Sequence, residues 1–304
     1  MSTIAARRRT RSRTPLLLIV PAIVILLLGM GYPVIWQVMT SFQEYGLAQQ
    51  FGKPPTFVGL ANYITLATNP ELWLVVARSL AFCFITAFIT LAVGTLLALL
   101  MARVTRTPRL ILQISMLLAW SMPVVAAMTV WIWLFDRRRG VVNYLLDMIP
   151  GVDMNRFDWL STPFTFFALA SAIVVWMSVP FVSFSVYAGL TQVSEEVLEA
   201  AQLDGASGFN RFRYIIFPLV RPVIAIVLLL QLIWDLRVFT QIKLLQDAGS
   251  KSGDYDLLGT YIYKLGTSAQ DFGTASAVSL LVLAITIAIS WFYIRSLLKE
   301  DEAA

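Results

Sequence analysis

The chain alternates long apolar runs with short polar ones. Six runs reach the ~20 mostly apolar residues needed to cross ~30 Å of hydrocarbon. They cover residues 16–38, 77–102, 110–135, 164–189, 220–244 and 274–297. Their apolar character is continuous, without the polar face of a soluble amphipathic bundle. The pattern predicts an all-α polytopic membrane protein with six transmembrane helices. Residues 1–14 form a basic arm, 15–298 the transmembrane domain and 299–304 a short tail. One polar insert, residues 191–218, interrupts the apolar pattern between the fourth and fifth runs.

Composition agrees. Of 304 residues, 58% are hydrophobic and 13% charged, with mean hydropathy +0.75; soluble domains carry about 25% charged residues. With no histidine, His-based catalysis and His metal sites are excluded. The one cysteine, Cys83, lies inside an apolar run and reads as a small core residue. The net charge of +5 reflects positives at the ends of apolar runs, which suits membrane topology better than nucleic acid. The run after RRRTRSR (Arg7 to Arg13) is too long for a signal peptide and lacks a small-residue cleavage site, so it reads as a retained span.

The positive-inside rule keeps the basic arm cytoplasmic. Alternation then places RVTRTPR (Arg103 to Arg109), the insert and the tail on the same side, with both termini cytoplasmic. Arg137, Arg138 and Arg139 object, because they fall on the opposite side. Trp73, Trp131 and Trp133 sit where an outer aromatic belt is expected. The outer segments 39–76, 136–163 and 245–273 read as turn-rich loops.

The insert contains EEVLEAAQLDGASGFNRFRYIIFP. Ser194 is a natural N-cap, and Glu195 and Glu196 suit the first turn of a helix. Val197, Leu198, Ala201 and Leu203 carry its apolar side. Gly205 can take the left-handed conformation that ends a helix. Ser207 can cap a second short helix, which Pro218 should break before the fifth span. On these grounds the insert is a surface loop, an interfacial amphipathic helix or a docking element. The small residues Ala200, Ala201, Gly205, Ala206 and Gly208 favour docking.

The residues EAA (199–201), Gly205, Ile215 and Pro218 resemble the EAA loop of binding-protein-dependent ABC importer permeases, with Phe217 where leucine is usual. FVGLANY (57–63), the stretch from Pro123 through GVVNYLL (140–146) and WDLRVFTQIKLL (234–245) are similar to the sugar permeases of maltose/trehalose type. The resemblance implies a coupling helix that fits a cleft on a cytoplasmic ATPase, carried by Glu199, Ala200, Ala201, Asp204 and Gly205. It also implies a second permease, forming a heterodimer, two ATPase subunits, an extracytoplasmic sugar-binding protein and a disaccharide substrate such as trehalose. The setting it implies is the inner (plasma) membrane of a prokaryote.

Ionisable groups inside a span usually face a pore or a partner. Gln231, Trp234, Asp235 and Val238 fall at i, i+3, i+4 and i+7, on one helical face. A carboxylate beside an indole suits a sugar, offering a hydroxyl acceptor and a flat apolar face. Pro180 should loosen the fourth span and free carbonyls. By the resemblance, Met177, Ser178, Phe181, Gln231, Trp234, Asp235 and Val238 match the lining of a transmembrane sugar pocket. The other reading pairs Asp235 and Arg237 with the partner subunit. A proton-coupled transporter using Asp235 is the competing function; no convincing inverted repeat accompanies it, and it leaves the insert unexplained. The chain carries no phosphate-loop motif, since Gly52-Lys53 is followed by proline. It is therefore expected not to be an enzyme and to hold no cofactor itself, ATP and magnesium being bound by the ATPase subunits.

Overall fold

The computed structural model describes residues 14–249 and 255–301. The basic arm through Arg13, residues 250–254 of the third loop and the last three residues of the tail lie outside the described residues. The chain divides into two compact units, Met1–Leu66 with Leu265–Leu280, and Ala67–Lys264 with Leu281–Ala304.

In the first unit, α1 (Thr14–Leu26) passes through a π turn (Leu27–Gly31) into α2 (Tyr32–Ser41). The stretch Leu18–Ser41 is long and apolar enough to span a membrane. A short hairpin follows, β1 (Gln43–Glu44) with β2 (Thr56–Phe57), in antiparallel register Gln43↔Phe57. Asn62 of the FVGLANY stretch ties it down, donating to the carbonyls of Ser41 at 2.9 Å and Gln43 at 3.0 Å. The first outer segment is thus partly ordered, where the sequence reads as turns alone.

In the second unit, α3 (Pro70–Arg103) starts with a complete set of helix signals. The Asn69 side chain accepts from the Glu71 N–H at 2.9 Å, Pro70 stands in the first turn, and Arg103 closes the last turn against the helix dipole. Its neighbour α6 (Pro163–Leu190) is capped likewise by Thr162 and runs on through Pro180 without interruption. Gly94 of α3 lets the two helices approach closely. A Cβ there would lie 2.6 Å from Val182 Cγ1. The core gathers Phe82, Met128, Phe166, Ile173, Ile242, Leu245 and Tyr255 towards one end, and Ala98, Val182, Val186 and Val227 towards the other.

One expected span is corrected. Residues 110–135 are not one helix: α4 (Arg106–Ser121) and α5 (Val124–Leu134) meet at a bend of 102°. Pro123 has no N–H and disfavours helical backbone at Met122, which is extended at ψ 128. Counting the bent pair as one span gives six. The fifth run lies within a single stretch long and apolar enough to span, Gly208–Asp247, with a local turn inside it. After α7 (Glu195–Leu203), helix α8 (Phe217–Leu236) stops short of residue 244. Arg237 and Val238 form tight turns to Trp234 and Asp235, and α9 (Thr240–Asp247) follows.

Pro218 does not break the helix before the fifth span. The chain runs from Gly208–Arg211 through a π turn, Phe212–Ile216, directly into α8. A widened turn accommodates the proline ring and its missing donor; α1 and α2 handle Pro33 the same way. The last helix, α10 (Phe272–Asp301), begins among the residues of the first unit and ends among those of the second.

Candidate functional site

The insert folds as its residues dictate. The Ser194 hydroxyl accepts from the Val197 N–H at 3.4 Å and opens α7. At the far end Gly205 has φ +79. Its N–H donates to the Gln202 carbonyl at 3.1 Å, and that of Ala206 to the Ala201 carbonyl at 3.0 Å. This pair of bonds closes a glycine-terminated helix. The Ser207 hydroxyl then accepts from the Asn210 N–H at 3.3 Å and starts the next turn. Arg211 Nη1 donates to Gln202 Oε1 at 3.2 Å across the corner.

The two faces of α7 differ. Ala201 is buried, and half-buried Leu198 lines a cavity of about 260 Å³ with Leu99, Leu190 and Phe212. Glu199, Ala200, Asp204 and Gly205 are exposed. Leu203, expected on the apolar side, is 89% exposed. A Cβ at Gly205 would meet nothing within 4 Å. Its backbone therefore calls for glycine, while none of the described residues crowds it. The result is an open surface of small, acidic and apolar groups on a doubly capped corner, joined without a break to a membrane-spanning helix.

The residues expected to line a sugar pocket fall into separate groups. Phe181 and Trp234 meet edge to face with ring centroids 5.0 Å apart, and Trp120 of α4 joins Phe181 at 6.2 Å. Trp234 is 48% exposed, so this aromatic group has an open side. Met177 is half-buried, its sulfur 3.7 Å from Gln241 Nε2, and Ser178 is half-buried. Gln231 and Asp235 are turned inward instead. Gln231 Nε2 donates to Asp235 Oδ1 at 2.7 Å, and Thr86 Oγ1 donates to Asp235 Oδ2 at 2.8 Å. Asp235 is 3% exposed. Both of its oxygens are engaged within the chain, while Trp234 on the same helix keeps an open side. Val238 lies beyond the end of α8, buried in the core. Arg237 is exposed and Asp235 is not; the acid finds its partner on a neighbouring helix, in Thr86 of α3.

The sequence reading missed Thr86, Trp120 and the role of Cys83, whose Sγ donates to the Leu232 carbonyl at 3.2 Å. The signal for the first was present. Thr86 and Thr90 stand four apart in an apolar run, where a polar stripe marks a helix contact.

The model of the family of binding-protein-dependent transport system inner membrane components matches residues 94–295, from within α3 through the insert and into α10. The chain belongs to this family. The permease is 35% identical to the diacetylchitobiose uptake system permease protein DasB of Streptomyces coelicolor, over 98% of this chain and 90% of that one. It is 31% identical to the trehalose/maltose transport system permease protein MalF of Thermococcus litoralis, over 79% of each chain. A bacterial alginate ABC transporter, solved in complex with an alginate pentasaccharide-bound periplasmic protein, shares the fold. It has TM-score 0.78 and 24% identity, covering 92% of each chain. The permease is thus an all-α, multi-pass inner-membrane component of an ABC transporter, and a transport subunit by family.

Proposed function

We propose that this permease forms half of the translocation pathway of an ATP-driven importer for a sugar of disaccharide size, such as trehalose or a maltose-like sugar. The observation that carries the proposal is the doubly capped corner at 194–207. It is open on the Glu199, Ala200, Asp204 and Gly205 side and joined through a π turn to α8. A helix held rigidly to a span transmits displacement, whereas a loose loop would absorb it. The names of the two relatives, which concern diacetylchitobiose, trehalose and maltose, support the sugar class.

In this reading α7 seats in a cleft of a cytoplasmic ATPase, with Ala201 holding the helix to the permease. Two ATPase subunits bind ATP and magnesium, a second permease completes the pathway as a heterodimer, and an extracytoplasmic binding protein delivers the sugar. The insert and both termini are cytoplasmic. Phe181 and Trp234, with Trp120, offer the apolar face for a sugar ring, and Met177 and Ser178 complete that side. Asp235 and Gln231 hold α8 to α3. That engagement also disfavours Asp235 as an accessible proton carrier.

The experiment is purification of the complex from its native membrane in mild detergent, with ATP hydrolysis measured in the presence of binding protein and sugar. Gly205→Asn serves as the probe, since asparagine tolerates the left-handed backbone. The expected result is co-purification of an ATPase and a second permease, stimulated hydrolysis, and loss of that stimulation in the variant. A chain recovered alone and monodisperse, or full coupling in Gly205→Asn, would refute the reading.

A further inference from the structure

Arg137, Arg138 and Arg139 oppose the charge rule that orients the rest of the chain, and the structure shows what they build. With Arg156 they line a cavity of about 330 Å³ directly beyond the end of α5. Asp147 is the one carboxylate in the lining, against four guanidinium groups, and its Oδ1 already accepts from the Met154 N–H at 3.1 Å.

The basin is held open by its own scaffold. Asp136 Oδ1 accepts from the Arg138 N–H at 2.9 Å and the Arg139 N–H at 2.7 Å, and these bonds hold its carboxyl below the usual range. Arg137 Nε donates to the Arg156 carbonyl at 3.0 Å, fixing the other wall, where Arg156 itself has φ +59. Buried Asn143 ties the floor together. Its amide donates to the Phe157 carbonyl at 2.8 Å, and its carbonyl accepts from the Trp159 indole at 2.6 Å. Arg137 approaches Asp158 only at 4.0 Å. Among the described residues, Arg138, Arg139 and Arg156 have no carboxylate partner within salt-bridge distance.

The chemistry of such a basin is that of phosphate binding, because planar guanidinium forks match phosphate oxygens. Its surroundings choose the source. The short helix Val141–Asp147 and the residues after it expose Tyr144 (64%), Leu145 (55%), Met148 (61%) and Ile149 (49%). Trp133, one turn before the arginines, is 56% exposed. Exposed apolar side chains flanking a cationic basin, at the end of a membrane helix, suit the boundary between headgroups and acyl chains. A water-facing surface for an acidic protein would not need them.

We propose that Arg138, Arg139 and Arg156 bind the phosphate of an anionic phospholipid, while Tyr144, Leu145, Met148 and Ile149 sit among its acyl chains. Lipid phosphate neutralises the arginines that otherwise oppose the topology, and it anchors the 136–156 excursion at the membrane surface. The proposal rests on the membrane-spanning character of the chain and is independent of which sugar is carried.

The test is native mass spectrometry of the purified transport complex, exchanged into mixed phosphatidylglycerol and phosphatidylcholine micelles. The complex should retain phosphatidylglycerol preferentially. Arg138→Gln with Arg139→Gln and Arg156→Gln should lose that preference by about tenfold. If the triple variant does not assemble, Arg138→Gln with Arg139→Gln is expected to weaken the preference while leaving Arg137 and its scaffold bonds in place. Excess inorganic phosphate should not displace the lipid; displacement would assign the basin to a free anion. No lipid preference in the wild type, or unchanged preference in the variants, would overturn the proposal. Unchanged lipid retention with lost stimulation by the binding protein would assign the basin to a protein partner instead.

Discussion

Thr86 Oγ1 donates a 2.8 Å hydrogen bond to Asp235 Oδ2, joining α3 to α8 at a buried position. The other carboxylate oxygen accepts from Gln231 at 2.7 Å. A buried acid with both oxygens engaged is a clamp between helices, and its partners become costly to remove.

Thr86→Val should therefore lower the stability of the purified permease by about 1–3 kcal/mol. Asp235→Asn, which keeps hydrogen-bonding atoms at both positions, should cost less than Asp235→Leu. Thermal unfolding in detergent measures this, and a double-mutant cycle of Thr86→Val with Asp235→Leu should show coupling. Additive effects would mean that the two side chains act independently.

This clamp marks where sequence reasoning stopped. Helical spacing groups Gln231, Trp234, Asp235 and Val238 on one face, yet Gln231 and Asp235 face inward, Trp234 has an open side, and Val238 lies past the helix end. The break after Leu236 follows from local turns and from burial of Val238, and no glycine or proline announces it. By contrast, Ser194, Gly205 and Ser207 each carry a local rule that the fold obeys. Pro123 also carried one, and it bends the chain where an apolar run looked continuous. Local chemistry was legible at caps and turns. Which side of a uniformly apolar helix meets its neighbour was not, because the sequence pattern is nearly the same all round.

Gly94 faces Val182 so closely that a methyl group would overlap it. Gly94→Ala should destabilise the bundle by about 1–3 kcal/mol. Val182→Ala should restore part of that loss by making room. Thermal unfolding of the single and double variants checks the pair, and no rescue would place the strain elsewhere.

The aromatic group predicts a separable effect on transport. Trp234→Ala should reduce sugar uptake in proteoliposomes by about tenfold, the loss of roughly 1.4 kcal/mol of ring contact. Trp234→Phe should recover much of it. Equal uptake by Trp234→Ala and wild type would remove Trp234 from the pathway.

Lys264 bonds to Glu71 at 3.0 Å and lies 3.6 Å from Asp256. The Glu71 hydrogen bond is the main cause raising its pKa above the ordinary lysine value. A raised pKa gives stabilisation that is fully present below the unfolded value of about 10.4 and lost as pH rises through the folded one. Both side chains are partly exposed, so solvent screening keeps the contribution under about 1 kcal/mol. Lys264→Gln should lower the unfolding temperature slightly at neutral pH. The difference from wild type should shrink only in strongly alkaline buffer, and a difference independent of pH would point to packing.

The most direct test of the central claim is photo-crosslinking from Leu203, which is 89% exposed near Gly205 on the capped corner. A photoreactive residue at 203 in the assembled transporter should crosslink to the nucleotide-binding subunit, with a yield that changes on adding ATP. An intact, ATP-hydrolysing complex in which position 203 crosslinks only to lipid or solvent would contradict the account.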